Sequence, residues 1–313
     1  MIISTLFLLL VSLCILLTQS LHAQEAKIIG RVNGSGLRVR ENWTLDARIL
    51  DHLSLDEIVE VLDTSPSRTK IGDMNTHWFK IRRGGLTGWV YGYFLDLFIE
   101  IRHEGNRFRL SPSLADSVDI RQEPGSKDWY SGIYYPPHSV YTLTGYHLTG
   151  APEKNRCIYI YPLEEHDGNP PLSAKRIAAL EKLLDSPGTG IGRDAVPVFP
   201  NAPAHQLFIA HAERIENEYV QGIRFLTVFG QDMVWPVPRE VIYIFQGFDA
   251  DRTRWISGWF LVERPDVPID ASAAPGDTVY DQLRKFEREL TEASEEDFTP
   301  RLDLLDALML SIR

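Results

Sequence analysis

Short runs of apolar, β-branched and aromatic positions between polar turns mark out strands over the first hundred residues. The stretches 27–32, 37–40, 57–62, 78–83 and 86–91 each read as a strand with one face turned inward. Ile58-Val59-Glu60-Val61 and Phe79-Lys80-Ile81-Arg82 carry the β-branched and aromatic residues that suit a pleated surface. Gly84-Gly85 permits the positive φ values of a two-residue hairpin, so the last two strands are expected to pair directly. Asn33-Gly34-Ser35-Gly36 and Ser65-Pro66-Ser67 are turn chemistry. Several short strands between such turns predict a small all-β barrel as the first module.

The pattern changes after residue 98. Residues 98–110 alternate around Glu104-Gly105-Asn106 and predict a hairpin with one buried face, assigned to the second module. The stretches 158–161, 222–229, 241–247 and 255–262 read as central strands of one antiparallel sheet, with Ile242-Tyr243-Ile244-Phe245 and the aromatics of 255–260 as its core. Three helices are legible between them. Ser173 caps a helix carrying Ile177, Leu180 and Leu184, ended by Pro187-Gly188. Thr278 with Asp281 caps a helix that places Val279, Leu283, Phe286 and Leu290 on one side. Thr299 before Pro300 starts a last helix through Leu302, Leu305, Met309 and Ile312.

Residues 1–23 have a different character. The run 2–17 is almost purely apolar, and Ala23 is a small residue before Gln24, which is the shape of a secretory leader without its usual positive start. A retained membrane anchor is the alternative, although the run is short against the ~20 residues a spanning helix needs. Leu13 before Cys14 is too large for a lipidation site. The expected organisation is therefore a leader at 1–23, an all-β module at 24–98 and an α+β module at 99–313. With the leader removed Cys157 is the one remaining thiol, so stability must come from packed cores and not from an internal disulfide. The first module is balanced, with 10 Lys+Arg against 10 Asp+Glu, so residues 99–313 carry the whole net charge of −11. An acidic surface of this kind excludes nucleic acid and anionic lipid as partners, leaving membrane contact only through an uncleaved leader.

Leu37-Arg38-Val39-Arg40 looks like the Leu-Asn-Val-Arg strand of bacterial SH3-like (SH3b) domains, and 53–62 looks like the stretch that follows it. Residues 78–90 resemble the closing hairpin with its Gly-Trp-Val end. The small Ser-Gly-Pro run of such domains is replaced by Glu41-Asn42-Trp43-Thr44. The resemblance implies an SH3-like barrel at 24–98 that binds a cell-wall polymer or another envelope component, or serves as a spacer. Extended polar ligands of this kind need a shallow aromatic groove, for which Trp43, Tyr91 and Tyr93 are the candidates, while Trp78 and Trp89 are expected to anchor the barrel core. Residues 204–268 and 298–312 also resemble the C-terminal part of uncharacterised secreted SH3b-containing proteins, through Gly222-Ile223-Arg224-Phe225-Leu226, Tyr243-Ile244-Phe245-Gln246-Gly247 and the turn 264–268. Asp249-Ala250-Asp251-Arg252-Thr253 departs from the Asp-Gly hairpin of those relatives.

Catalytic chemistry is thinly represented. Cys157 begins an apolar strand and lacks the exposed, electropositive setting of a nucleophile. His205, His211 and Glu213 share a parity that could gather them as metal ligands, but Leu207 and Ile209 share it too and make that face core; no metal or cofactor is expected. His138, His147 and His166 lie near Pro and Gly as loop residues. No Gly-x-Ser-x-Gly elbow occurs, the glycine-rich run 186–193 lacks the Lys and Ser/Thr of a phosphate loop, and the acids of 292–297 read as a solvated linker. Arg224 and Gln246, polar within apolar strands, are a candidate polar pocket; if buried, Arg224 needs an acid such as Asp266 or Glu263. The sequence thus points to an exported, non-catalytic protein that binds or scaffolds at the bacterial cell envelope. The rivals are a wall hydrolase with an unrecognised site and an accessory subunit that docks a protein partner through its acidic domain.

Overall fold

The computed structural model describes residues 27–127, 134–164, 172–186, 191–192, 195–202, 204–230, 241–264 and 278–313. The expected leader at 1–23, His166, Pro187-Gly188 and the turn 265–268 with Asp266 lie outside the described residues.

Eight antiparallel strands form the first sheet: β1 (Ile28–Val32), β2 (Leu37–Arg40), β3 (Ile49–Leu53), β4 (Ile58–Thr64), β5 (Trp78–Arg83), β6 (Leu86–Tyr91), β7 (Leu95–His103) and β8 (Asn106–Leu110). Their order is β8-β7-β1-β4-β5-β6-β2-β3. Val32, Val39, Val59, Ile81 and Val90 line its inner face as one cluster. The Gly84-Gly85 hairpin forms as expected, with Arg83 opposite Leu86 and Gly84 at φ 56°. Strand β3 escapes a pattern-based reading because Ile49-Leu50-Asp51-His52-Leu53 does not alternate.

The expected barrel does not close. β3 and β8 are the two ends of the sheet, and no ladder joins them among the described residues. Two features keep it open. β2 meets β6 at the single pair Arg40↔Trp89, and the nine residues of β7 run on to recruit β8 beyond the edge where closure would occur. At the β2–β6 crossing the backbones come so close that a Cβ on Gly88 would lie 2.8 Å from the Arg40 carbonyl oxygen.

The hairpin β7–β8 belongs to the first sheet by hydrogen bonding, not to the second as its position suggested. Its apolar face nonetheless enters the second core, where Ile99, Ile101, Phe108 and Leu110 pack with helix residues from the end of the chain.

The second sheet contains β9 (Ser117–Glu123), β10 (His138–Thr144), β11 (Arg156–Pro162), then, after helix α1 (Ala174–Leu184), β12 (Ala210–Glu216), β13 (Val220–Thr227), β14 (Ile242–Asp249) and β15 (Arg254–Leu261). It is wholly antiparallel in the order β9-β10-β11-β15-β14-β13-β12. Helices α2 (Val279–Glu292) and α3 (Leu302–Leu310) follow. One face packs against α2, α3 and the β7–β8 hairpin, and the other against α1 and residues 196–199. Both faces being covered explains why β13, β14 and β15 are almost continuously buried.

The Thr278/Asp281 capping box forms, and Leu283, Phe286 and Leu290 are buried as the spacing predicts. The last helix starts later than expected. Thr299 instead forms a backbone bridge with Glu263, exchanging N–H···O bonds of 2.8 Å in both directions, and the helix begins at Leu302.

Candidate functional site

The two-residue turn fixes which residues of β5 and β6 share a face. Trp78 lies opposite Tyr91 and Lys80 opposite Trp89, so all four point away from the valine-rich interior, as do Arg38 and Arg40 on β2. Trp78 and Trp89 therefore do not anchor the first core as expected; neither joins its cluster. Trp78 is buried for another reason. A small hairpin, Thr69–Ile71 with Met74–Thr76, is tied down by the Tyr91 hydroxyl, which donates to the Thr69 and Met74 carbonyl oxygens at 2.7 and 3.0 Å. Trp78 and Tyr91 meet edge-on with centroids 5.3 Å apart.

Between this hairpin and β2 opens a groove of about 270 Å³. Tyr91 and Trp78 line it together with Arg38, Leu45, Met74 and Phe94, and the Gly34-Ser35-Gly36 loop forms part of its rim. That loop is set by Asn33, whose N–H donates to the Phe94 carbonyl and whose side chain donates to Asp96. Gly36 adopts φ 70°, a turn that only glycine takes without strain. The Trp78 indole Nε1 is buried without a hydrogen-bond partner.

Of the three aromatic candidates, Tyr91 is 4% exposed and contributes to the groove wall. Tyr93 is 56% exposed and packs edge-on against Phe94 at its margin. Trp43 does not line the groove; it meets the half-buried Trp89 with centroids 6.3 Å apart. Arg38, Leu45, Met74 and Phe94 were missed as groove residues. The sequence held one signal for them, an Arg at position 38 where the resembled strand has Asn.

Arg224 and Gln246 do not form one pocket. Arg224 pairs with Phe245 across β13–β14 while Gln246 pairs with Ile223, which puts the two on opposite faces of the sheet. Arg224 is fully buried on the α3 side, where the acids against it are Glu213, Glu295 and Asp306 and not the expected Glu263; the other expected acid, Asp266, lies outside the described residues. Its Nη2 donates to Glu213 at 2.6 Å and to Glu295, and its Nη1 donates to His211 Nδ1 at 2.7 Å. Asp306 Oδ2 lies 3.5 Å from its Nε. Because the Ala293 carbonyl oxygen, 3.0 Å from His211 Nε2, can only accept, His211 is the neutral Nε2–H tautomer. Burial pushes Asp306 up to about 6, against the opposing pull of Arg224 and of the Tyr243 hydroxyl that donates to it. Glu295 is thus a partner of Arg224, not a linker acid.

On the other face Gln246 accepts from the Phe199 N–H (3.0 Å) and Trp255 Nε1 (2.8 Å) and donates to Ser257 Oγ (2.7 Å). It is a satisfied core polar group.

The residues weighed for catalysis are dispersed. His211 and Glu213 come together only around the Arg224 guanidinium, which both of them contact, and His205 pairs separately with Gly230. Among the described residues no three His, Cys, Asp or Glu side chains are placed to hold a metal. His138 opens β10 instead of lying in a loop, with its ring 4.3 Å from that of Tyr161. Cys157 pairs with Thr142, four residues along β10 from His138, a backbone offset of about 13 Å, and no hydrogen bond links the thiol to the imidazole among the described residues. Burial pushes the Cys157 thiol up, and its Sγ donates to the Glu153 carbonyl at 3.0 Å. This is a thiol held in its protonated form, not an activated nucleophile.

No curated protein and no solved structure matches the chain. One family does, and over the segment that builds the groove: residues 35–96 match the model of the bacterial SH3 domain, so this is a protein that carries a bacterial SH3 domain.

Proposed function

We propose that the protein is exported by its leader and binds a cell-wall polymer through the SH3 groove, without catalysing a reaction on it. The bacterial SH3 domain points to cell-wall or envelope binding in general. The observation that carries the finer reading is the groove itself, which lies within the matched segment and joins aromatic and apolar walls to a few polar groups. The protonated, hydrogen-bonded state of Cys157 supports a non-catalytic role.

Leu45 lines the groove and is 52% exposed, so its replacement leaves the fold intact. The full chain is expected to co-sediment with purified cell-wall sacculi, and Leu45→Asn to reduce the retained fraction at least about threefold through lost apolar contact. Passage of the unaltered protein into the supernatant, or equal retention of both, would overturn the reading. Export has its own check: N-terminal sequencing of protein from the envelope fraction is expected to begin at Gln24. Intact protein confined to the cytoplasm would refute it.

A further inference from the structure

We propose that the SH3 groove holds its ligand by a free carboxylate, gripped by Arg38 and the Trp78 indole N–H, with the adjoining apolar substituent against Leu45, Met74 and Phe94. The inference deepens the wall-binding reading and rests on it for the source of the ligand, which by this chemistry is the carboxyl end of an extended peptide.

Four observations converge on it. The first is an uncommitted cation. Arg31, Arg48, Arg82 and Arg83 of the same domain each hold a carboxylate, whereas Arg38 lines the groove with no hydrogen bond or ion pair among the described residues. The second is an uncommitted donor. Trp78 is 2% exposed, lines the same groove, and its Nε1 has no acceptor. That nitrogen is closed to solvent, so a ligand oxygen reaches it only as the groove wall gives, and the contact then relieves the cost of a buried N–H without a partner.

The third is the local charge. No Asp or Glu lines the groove, although the chain as a whole carries −11. Arg40, which also lines it, is fixed by donating to the Ala47 carbonyl at 2.7 Å and adds a second positive charge nearby. The groove is therefore a local site for an anion on an acidic protein.

The fourth selects the anion. A guanidinium presents a planar fork that matches a carboxylate in two parallel hydrogen bonds. At about 270 Å³, with Leu45, Met74 and Phe94 as walls, the groove is small and largely apolar. Those walls suit a carboxylate attached to a short apolar side chain. A phosphodiester flanked by hydroxyl-bearing units would leave its hydroxyls facing Leu45 and Phe94 unpaired. Arg38 takes the place of the Asn of the resembled strand, so the preference is a property of this chain: an amide brings no charge.

The test uses the full chain labelled with ¹⁵N and follows the Trp78 indole N–H resonance during titration with N-acetyl-dialanine, its C-terminal amide, and glycerol 3-phosphate. The free acid is expected to shift the resonance, the amide and the phosphate to leave it in place, and Arg38→Gln to weaken the acid about tenfold. Arg38 is exposed, so its exchange does not threaten the fold. Binding of the amide as tightly as the acid, binding of the phosphate alone, an undisturbed resonance, or indifference to Arg38→Gln would each overturn the proposal. Sacculus sedimentation run in parallel separates the two readings. Retention unaffected by Arg38→Gln, with no response to the acid, removes the carboxylate site and leaves wall binding standing. A response to the acid without retention on sacculi does the reverse.

Discussion

Arg224→Ala is expected to lower the free energy of unfolding by about 3 kcal/mol or more, read from urea denaturation of the full chain. The guanidinium is fully buried and stands among Glu213, Glu295, Asp306 and the neutral His211. Glu213 and Glu295 keep 55% and 36% of their side chains exposed, so water takes up part of their charge once Arg224 is gone. Asp306, with 14% exposed, has no such outlet. The effect also has a pH signature. The folded pKa of Asp306, about 6, lies above its ordinary value of 3.8, so ionisation of this group opposes folding. That penalty is absent below about pH 4, grows between 3.8 and 6, and is complete above 6. Arg224 is the larger of the two pulls against it, and without it only the Tyr243 hydroxyl remains, so the gap between variant and parent is expected to be wider at pH 8 than at pH 5. An equal gap at both would show that the loss is one of packing and not of charge.

Gln246→Leu is expected to cost about 3 kcal/mol on the opposite face, since two buried donors lose their acceptor at about 1–3 kcal/mol each. Those donors are the Phe199 N–H and Trp255 Nε1. The Phe199 carbonyl keeps Trp259 Nε1 at 2.8 Å and the Ser257 hydroxyl, so it is not orphaned. Leucine fills much of the same volume, which separates the polar loss from a cavity effect. A thermal unfolding midpoint within error of the parent would show that Phe199 and Trp255 find other partners.

The four central strands of the second sheet, β11, β13, β14 and β15, and the capping of α2 were legible because each rests on local chemistry, apolar runs bounded by turns and a Thr–Asp pair three residues apart, whereas the outer strands β9, β10 and β12 were not read. The relation between Arg224 and Gln246 was not, because they sit on different strands and their faces depend on pairing register. Only with Gly222 opposite Gly247 does it emerge that one looks toward α3 and the other toward Phe199. The outward position of Trp89 was in principle readable, since a two-residue turn at Gly84-Gly85 puts it opposite Lys80. Barrel closure failed as an expectation because neither short strands between turns nor a resemblance ending by residue 98 says where β7 goes next, and β7 runs on to pair with β8. The groove was half legible: Tyr91 is in it, but Ile71 and Met74 come from a hairpin whose two strands are three residues each, and Leu45 and Phe94 from segments outside any strand.

β7 pairs with β1 over its first five residues and with β8 over its last five, sharing Ile99. Ile101 and Phe108 of that hairpin pack in the same core as the residues of α3, so the first sheet runs straight into the second core with no separate linker. If the groove holds a ligand as proposed, a pull on it passes along the unbroken backbone of β7 into the larger body, more like a bracket than a bead on a string.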